Sequence, residues 1–160
     1  MILVVMGVEG SGKTTVGELL AQQLGWEFAD GDGFHSAKNI QKMKQGIPLD
    51  DADRAGWLDA IHEAIEQWRA RGKNVVVACS ALKQSYRERI GIAPDVKLVF
   101  LKGSYELISE RLRARRNHYA KSDLLASQFA ALEEPQDAVT VDIAPPPEVI
   151  VGEVRRQLGL

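Results

Sequence analysis

The chain opens with MILVVMGVEGSGKTT, residues 1–15, in which an apolar run passes directly into a glycine-rich turn. Residues 7–14 match the pattern G-x-x-x-x-G-K-[ST], and a helical pattern follows over residues 13–24. In this context glycines let successive backbone N–H groups turn towards phosphate oxygens, beside the positive end of the helix. The stretch therefore predicts a phosphate-binding loop on an α/β fold, with a nucleoside triphosphate as its ligand.

Individual residues of the loop have separate expected roles. Lys13 can reach the β- and γ-phosphates, and the hydroxyl of Thr14 can ligate Mg²⁺. The other residues expected at the nucleotide phosphates are Gly7, Gly10, Ser11, Gly12 and Thr15. Because GTPases, motors and small-molecule kinases share this loop, it does not identify the phosphoryl acceptor. The alternative interpretation is a glycine-rich turn that binds no nucleotide.

Beyond the loop, short apolar runs alternate with longer helical patterns, which is typical of βαβ units around a parallel sheet. The runs are continuous in apolar character, as strands buried on both faces require. The predicted strands cover residues 2–6, 26–29, 74–79, 97–101 and 139–143. The predicted helices cover residues 13–24, 38–45, 53–71, 83–90, 105–115, 123–132 and 148–158. We expect one three-layer α/β domain over residues 1–160, with a five-stranded parallel sheet flanked by helices.

Composition and charge exclude several classes of partner. Twenty lysines and arginines against 22 aspartates and glutamates give a formal charge of −2. No sequence-independent binding to nucleic acid or to an anionic membrane is expected from this balance. No apolar run approaches the roughly 20 residues of a membrane span, and a single cysteine, Cys79, excludes an internal disulfide. We expect a soluble cytoplasmic protein in which Cys79 is a small buried residue and not a nucleophile.

Two aspartates, Asp30 and Asp32, follow the second predicted strand in the segment DGDG. Ligands of an open parallel sheet gather beyond the carboxyl ends of its strands, so we expect both carboxylates near the γ-phosphate. We expect Asp30 to help hold Mg²⁺ and Asp32 to accept the proton of an attacking hydroxyl, although the two acids can exchange these roles. The alternative is a turn whose acids only cap the next helix. The segment also fits the D-x-x-G pattern of GTPases, but no N-K-x-D segment follows it.

Several segments together resemble the small P-loop gluconokinase family, and the resemblance runs from the first strand to the last helix. It implies ATP-dependent phosphorylation of D-gluconate at its 6-hydroxyl, a P-loop kinase fold similar to shikimate and adenylate kinases, and a homodimer. The segment after the second strand is the most diagnostic, because a glycine loop alone is widely shared. The segments are GVEGSGKTT (7–15), DGDGFHSAKNIQKMKQGIPLDDADRAGWL (30–58), CSALKQSYR (79–87), FLKG (100–103), ERLRARRNHYAKSDLLASQF (110–129) and LEEP (132–135).

The chemistry of gluconate suggests what its site must contain. A carboxylate needs at least one fixed cation, and the hydroxyls need hydrogen-bond partners. Arg54 is expected to bind the carboxylate or a hydroxyl, since it resembles the acceptor-binding arginine of related kinases. Its alternative is a solvated charge paired with a neighbouring aspartate. His35 is expected to hydrogen-bond a sugar hydroxyl.

The third predicted strand leads into a second basic segment. Lys83 and Arg87 would lie four residues apart on one helical face, where they repel unless an anion lies between them. We therefore expect both to bind the substrate, the alternative being two solvated charges. The resemblance adds Ser80 and Gln128 to the expected acceptor-binding residues.

Arginines crowd the end of the fifth predicted helix. The helix dipole alone favours cations there, which is the structural alternative. The resemblance instead implies an arginine-rich lid over about residues 112–126, which closes on ATP and excludes water. It implies that Arg111 stacks on adenine and that Arg115 approaches the phosphates and stabilises the transferring charge, with Arg113 and Arg116 facing solvent.

Two other functions stay open from the sequence. A kinase of another small acid, such as shikimate, would use the same scaffold, but CSA at residues 79–81 stands where shikimate kinases usually have three glycines. A nucleotide-dependent regulatory protein would bind ATP without turning over an acceptor.

Overall fold

The computed structural model describes residues 1–115 and 122–160. Within them, strands alternate with helices as the sequence predicts. The strands are β1 (Ile2–Met6), β2 (Glu27–Asp30), β3 (Val75–Ala78), β4 (Val96–Lys102) and β5 (Val139–Asp142). The helices are α1 (Lys13–Leu24), α2 (Ala37–Lys44), α3 (Asp51–Ala70), α4 (Gln84–Ile90), α5 (Tyr105–Ala114), α6 (Ser122–Ala131) and α7 (Pro147–Leu158).

The five strands form one parallel sheet in the order β2-β3-β1-β4-β5. β1 lies in the centre, between β3 and β4, and all of its residues are fully buried. From β1 the chain goes to the β2 edge, returns through β3, and then continues on the other side of β1 to β4 and β5. In sheets of this kind, the reversal creates a ligand-binding crevice at the carboxyl end of the central strands.

Helices cover both faces of the sheet and make the domain three layers deep. Successive side chains of a strand point to opposite faces. Leu3 and Val5 accordingly pack with residues of α1, α5 and α7, whereas Ile2, Val4 and Met6 pack with residues of α3 and α4. The three-layer α/β class and the parallel sheet are therefore confirmed, and the continuous apolar strands are explained by burial on both faces.

Five helix starts differ from the prediction by one or two residues, and those of α3 and α4 bear on the site. α3 begins at Asp51 instead of Asp53, because Asp50 and Asp53 cap it reciprocally. Asp50 Oδ1 accepts the Asp53 amide (2.7 Å), and Asp53 Oδ2 accepts the Asp50 amide (3.1 Å). α4 begins at Gln84, and Lys83 is its N-cap with an extended backbone. Lys83 therefore lies outside the helix that was expected to carry it.

The connection from β2 to α2 includes a 3₁₀ turn, Gly31–Phe34, which the sequence prediction had left irregular. Asp30 caps this turn, and Ser36 caps α2 by accepting the Asn39 amide (3.1 Å). None of the helices within the described residues has the length and apolar character needed to cross a membrane.

Candidate active site

The loop after β1 has the backbone of an anion-binding turn. Gly10 and Gly12 have φ angles of 80° and 95°, in the left-handed region that glycine adopts without steric cost. A Cβ atom on Gly7 would lie 2.6 Å from the Ser11 hydroxyl oxygen, which leaves no room for a side chain. Gly12 is the N-cap of α1, so the unpaired amides of the first helical turn open into the loop.

Hydroxyl groups at this loop fit a phosphate and a bound Mg²⁺ ion. The Ser11 hydroxyl is buried and has no hydrogen-bond partner among the described residues. Thr14 and Thr15, in the first turn of α1, are exposed. No three His, Cys, Asp or Glu side chains in residues 1–115 and 122–160 form a cluster that could hold a metal ion. A Mg²⁺ ion here would therefore need phosphate oxygens in addition to protein ligands.

Lys13 folds back over the loop that precedes it. Its Nζ donates to the carbonyl oxygens of Gly7 (3.0 Å) and Val8 (3.1 Å). Desolvation by burial lowers the Lys13 pKa below its usual value, and the negative charge of Asp32 opposes this shift more strongly than any other charge. The charge of Asp30 acts in the same direction as that of Asp32. Both acids at the tip of β2 thus lie within electrostatic reach of the loop lysine.

Strand register and hydrogen bonding hold the two aspartates in place. Asp30 pairs with Ala78 of β3, which in turn pairs with Val5 of β1. Neighbouring strands lie about 4.8 Å apart, so Asp30 lies about 10 Å from the strand that leads into the loop. Asp30 Oδ1 accepts the Asp32 amide (2.9 Å) and caps the turn Gly31–Phe34, which was the alternative role for the acids. This bond uses one carboxylate oxygen of Asp30, and Asp32 is exposed.

Trp57 of α3 packs against the tip of β2. Its indole Nε1 donates to the Gly31 carbonyl oxygen (2.8 Å), and its ring stacks on His35 with the ring centroids 4.3 Å apart. Gly31 itself packs so closely on the Ala78 carbonyl that a side chain would not fit. The Trp57 ring is buried in the core, and apolar periodicity alone does not reveal the partner of its N–H group.

His35 lies within electrostatic reach of both the acidic tip and Arg54. Its Nδ1 accepts a hydrogen bond from Asn39 Nδ2 (3.3 Å), because an amide nitrogen can only donate. Burial lowers the pKa of His35, Arg54 lowers it further, and Asp32 opposes the shift. Because Nδ1 accepts from Asn39, the neutral form of the ring carries its proton on Nε2, which is a donor suited to a ligand hydroxyl.

Arg54 and Lys83 converge on one tyrosine. The Arg54 guanidinium carbon and the Lys83 ammonium lie 5.7 Å and 5.5 Å from the centroid of the Tyr86 ring. Arg54 Nη1 donates to the Tyr86 hydroxyl (3.3 Å), which donates to Asp51 Oδ1 (2.8 Å). The same Asp51 oxygen lies 3.8 Å from Arg54 and 3.9 Å from Lys83. Pairing with a neighbouring aspartate was the alternative role predicted for Arg54, and no sequence pattern indicated Tyr86 as a further partner.

The Tyr86 hydrogen bond, followed by the charge of Lys83, lowers the pKa of Asp51. This carboxylate is exposed, with 76% of its side-chain surface accessible. Two cations therefore share one carboxylate and one aromatic ring at the surface, an arrangement that can bind a second carboxylate from a ligand.

Arg87 has a different position from the one predicted. Its side chain is buried, and Nη1 donates to the carbonyl oxygens of Ala81 (2.7 Å) and Leu82 (3.1 Å). Nη2 donates to the carbonyl oxygen of Glu133 (2.8 Å). The expectation that Arg87 binds substrate assumed that it shares a helical face with Lys83, which does not hold because α4 begins one residue after Lys83. Its guanidinium instead holds the backbone of the β3–α4 loop.

The observed contact of Gln128 also differs from the expected one. Its Oε1 accepts the amide of Glu9 in the phosphate-binding loop (2.5 Å), which joins α6 to that loop. Ser80, by contrast, is half-buried at the end of β3, and its carbonyl oxygen accepts the Gly7 amide (3.4 Å). Burial raises the pKa of the neighbouring Cys79 to about 12, so this residue is an inert thiol, as predicted.

A cavity of about 320 Å³ lies beside the phosphate-binding loop. Its lining includes Arg111, Arg115 and the prolines of the β5–α7 loop, residues 145–147. Arg111 Nη2 donates to the carbonyl oxygens of Ile143 (2.7 Å) and Ala144 (3.3 Å), which fixes its planar guanidinium to the start of that loop. Part of the predicted lid, residues 116–121 with Arg116, lies outside the described residues.

A parallel sheet of this order, with a phosphate-binding loop after its central strand and an acid within reach of the loop lysine, fits a P-loop kinase of small molecules. The sequence model of the shikimate kinase family matches residues 9–145 of the chain.

Curated relatives give the narrower family. The thermoresistant gluconokinase of Escherichia coli (strain K12) is 41% identical, with 94% of this chain and 89% of the relative covered. The gluconokinase of Gluconobacter oxydans (strain 621H) is 42% identical, with 96% of this chain and 89% of the relative covered. A probable gluconokinase of Xenopus tropicalis is 41% identical, with 99% and 93% covered. The chain belongs to the gluconokinase family.

Solved structures agree with this assignment. A gluconokinase from Sinorhizobium meliloti 1021 superimposes with a TM-score of 0.89 at 45% identity, covering 98% of this chain and 90% of the other. Shikimate kinase from Aquifex aeolicus superimposes with a TM-score of 0.63 at 20% identity, covering 99% and 96%. The second similarity extends to the fold alone.

Proposed function

We propose that this protein transfers the γ-phosphoryl group of ATP to the 6-hydroxyl of D-gluconate and forms 6-phospho-D-gluconate. The observation that carries the proposal is the position of Asp32 in the turn at the tip of β2: Trp57 holds this turn through the Gly31 carbonyl (2.8 Å) and stacks on His35, and the turn lies at the sheet edge from which the loop with Lys13 starts. The acidic tip of β2 thus links the phosphate-binding loop to the cations suited to a sugar acid. Family membership supports the same substrate.

The nucleotide would bind at the loop and in the neighbouring cavity. Loop amides and the Ser11 hydroxyl would bind the phosphates, and Lys13 would leave the loop carbonyls to reach the β- and γ-phosphates. Adenine would enter the cavity of about 320 Å³ and stack on the Arg111 guanidinium, next to the prolines at residues 145–147. Arg115, which also lines the cavity, would approach the phosphates.

Thr14 and Asp30 would hold Mg²⁺ together with phosphate oxygens. When bound, the ion offsets negative charge on the transferring group. The fit rests on the exposed Thr14 hydroxyl and on the second carboxylate oxygen of Asp30, which lies within electrostatic reach of Lys13.

The acceptor would bind across the tip of β2. Arg54 and Lys83 would bind the gluconate carboxylate, which suits two cations that already share one carboxylate. His35 Nε2–H and Ser80 would hydrogen-bond the hydroxyls of the sugar acid. Asp32 would accept the proton of the 6-hydroxyl while the hydroxyl oxygen attacks the γ-phosphorus. The bond between the γ-phosphorus and the oxygen that leaves with ADP breaks in the same step. Asp30 and Asp32 can still exchange roles.

A cytoplasmic location and a homodimer belong to the same proposal, and both rest on family resemblance. Sedimentation equilibrium of the purified chain would test the dimer, since a monomer at micromolar concentration would contradict it.

Coupled measurement of ADP release tests the activity with a panel of acceptors: D-gluconate, other sugar acids, shikimate and nucleosides. We expect turnover with D-gluconate. Preferred turnover of shikimate would favour the kinase suggested by the broader family match, and ATP binding without acceptor-stimulated turnover would favour a regulatory protein.

A further inference from the structure

The loop between β3 and α4, residues 79–83, is held by hydrogen bonds that the proposed chemistry does not use. We call this segment the acceptor loop, because it carries Ser80 and Lys83. Arg87 binds it from α4 through the carbonyl oxygens of Ala81 and Leu82 (2.7 and 3.1 Å). The Arg87 side chain has only 2% of its surface exposed, so these bonds are shielded from water.

Glu133, which follows α6, holds the acceptor loop from the other side. Its amide donates to the Leu82 carbonyl oxygen (2.8 Å), and its carboxylate Oε1 accepts the amide of Gln84 (2.7 Å). Its own carbonyl oxygen accepts from Arg87 Nη2 (2.8 Å). The residues on both sides of Lys83 are therefore fixed to the pair formed by Arg87 and Glu133.

The acceptor loop needs this external support because of its backbone. Ala81 has a φ angle of 45° and is the non-glycine residue with positive φ among the described residues. This conformation is disfavoured for any residue with a Cβ atom and persists where surrounding contacts enforce it. Ala81 is also fully buried, so its carbonyl group depends on a protein donor, which is Arg87.

We propose that Arg87 and Glu133 are positioning residues for the acceptor: they fix the backbone of Lys83 so that its ammonium meets Arg54 and Tyr86 at the sugar-acid carboxylate. The inference rests on the proposed function. Arg87 and Glu133 act through Lys83 and have no contact of their own with the reacting groups.

The effect is directed at the acceptor and not at the nucleotide. The hydrogen bonds of the pair end on residues 81, 82 and 84, and none ends on the phosphate-binding loop. The Gly7 amide donates to the Ser80 carbonyl oxygen (3.4 Å), but neither Arg87 nor Glu133 bonds to Ser80. Loosening the pair should therefore move the Lys83 ammonium more than the loop amides that bind phosphates.

Steady-state kinetics of three variants test the inference. Glu133→Ala removes the acceptor of the Gln84 amide and should raise the KM for D-gluconate roughly 10-fold, with the KM for ATP within roughly twofold of wild type. Glu133→Gln keeps an acceptor oxygen at the same position and should restore the gluconate KM. Glu134→Ala is the matched control, because the neighbouring Glu134 pairs with Lys102 (3.0 Å) and should leave both constants unchanged.

Arg87→Lys provides a second test, since lysine keeps the charge but cannot bridge the Ala81 and Glu133 carbonyl groups as a fork. It should raise the gluconate KM more than Glu133→Ala does. A parallel rise of both KM values, or a lowered melting temperature with normal gluconate KM, would show a merely structural role and overturn the inference. If the wild-type protein does not phosphorylate gluconate, the proposed function fails instead, so the two failures are distinguishable.

Discussion

The indole N–H of Trp57 donates to the carbonyl oxygen of Gly31 at 2.8 Å and so joins α3 to the residue between the two acids of the β2 tip. Gly31 has no side chain that could anchor it, and its backbone lies so close to the Ala78 carbonyl that a side chain would not fit there. The position of Asp32 therefore depends on a backbone contact made by a core tryptophan.

Trp57→Phe tests this dependence. Phenylalanine keeps an aromatic ring against His35 but leaves the buried Gly31 carbonyl without its donor, which costs about 1–3 kcal/mol of unfolding free energy. We expect a lower kcat with gluconate, because Asp32 loses its fixed position, and little change in the KM for ATP. Trp26→Phe is the control for a general loss of indole packing, because Trp26 packs against the core on the other face of the sheet. An unchanged kcat in Trp57→Phe would contradict the positioning role.

The two cations at Tyr86 predict how the enzyme recognises an acid. Arg54→Met should raise the KM for D-gluconate roughly 10–100-fold, because a charge-assisted contact to the carboxylate is lost. The KM for ATP should stay near the wild-type value. Arg89→Met is the matched control, since Arg89 pairs with Asp59 away from the site (2.7 Å). Equal gluconate KM values in wild type and Arg54→Met would remove Arg54 from the acceptor site.

His35 predicts a pH dependence of stability. Its pKa is lowered in the folded state, mainly by burial, so below the usual value of 6.5 the unfolded chain binds more protons at this residue than the folded chain. The contribution of neutral His35 to stability is therefore complete above that pH and is lost as pH falls below it. Protonation would also remove the acceptor at Nδ1 that Asn39 uses.

Urea unfolding of wild type and His35→Gln between pH 7.5 and 5.5 measures this contribution. The wild-type free energy of unfolding should fall more steeply towards pH 5.5 than that of the variant. Identical slopes would show that His35 titrates alike in both states.

Local sequence patterns predicted the sheet and the phosphate-binding loop. The G-x-x-x-x-G-K-[ST] pattern and the continuous apolar strands depend on residues that are close in the chain, and β1 and the following loop have the form they predict. The acids of β2 could also be expected near the loop lysine, since carboxyl ends of parallel strands meet at one edge of a sheet.

The acceptor side was harder to predict because its contacts depend on tertiary structure. The expectation for Arg87 rested on helical spacing from Lys83, and a helix start displaced by one residue removed that relationship. Tyr86 and Trp57 look like core residues by periodicity, and only the packing of α3 and α4 shows that their polar ends reach the site. The partner of Arg87, Glu133, lies 46 residues away in the chain.

The most direct test of the central claim is the gluconate-dependent rate of ADP release by Asp32→Asn. Asparagine cannot accept the hydroxyl proton, so kcat should fall roughly 10²–10⁴-fold while ATP binding, measured by calorimetry, is retained. Asp59→Asn, an exposed acid paired with Arg89, should keep the wild-type rate. A kcat near wild type in Asp32→Asn would contradict the claim that this acid drives phosphoryl transfer to gluconate.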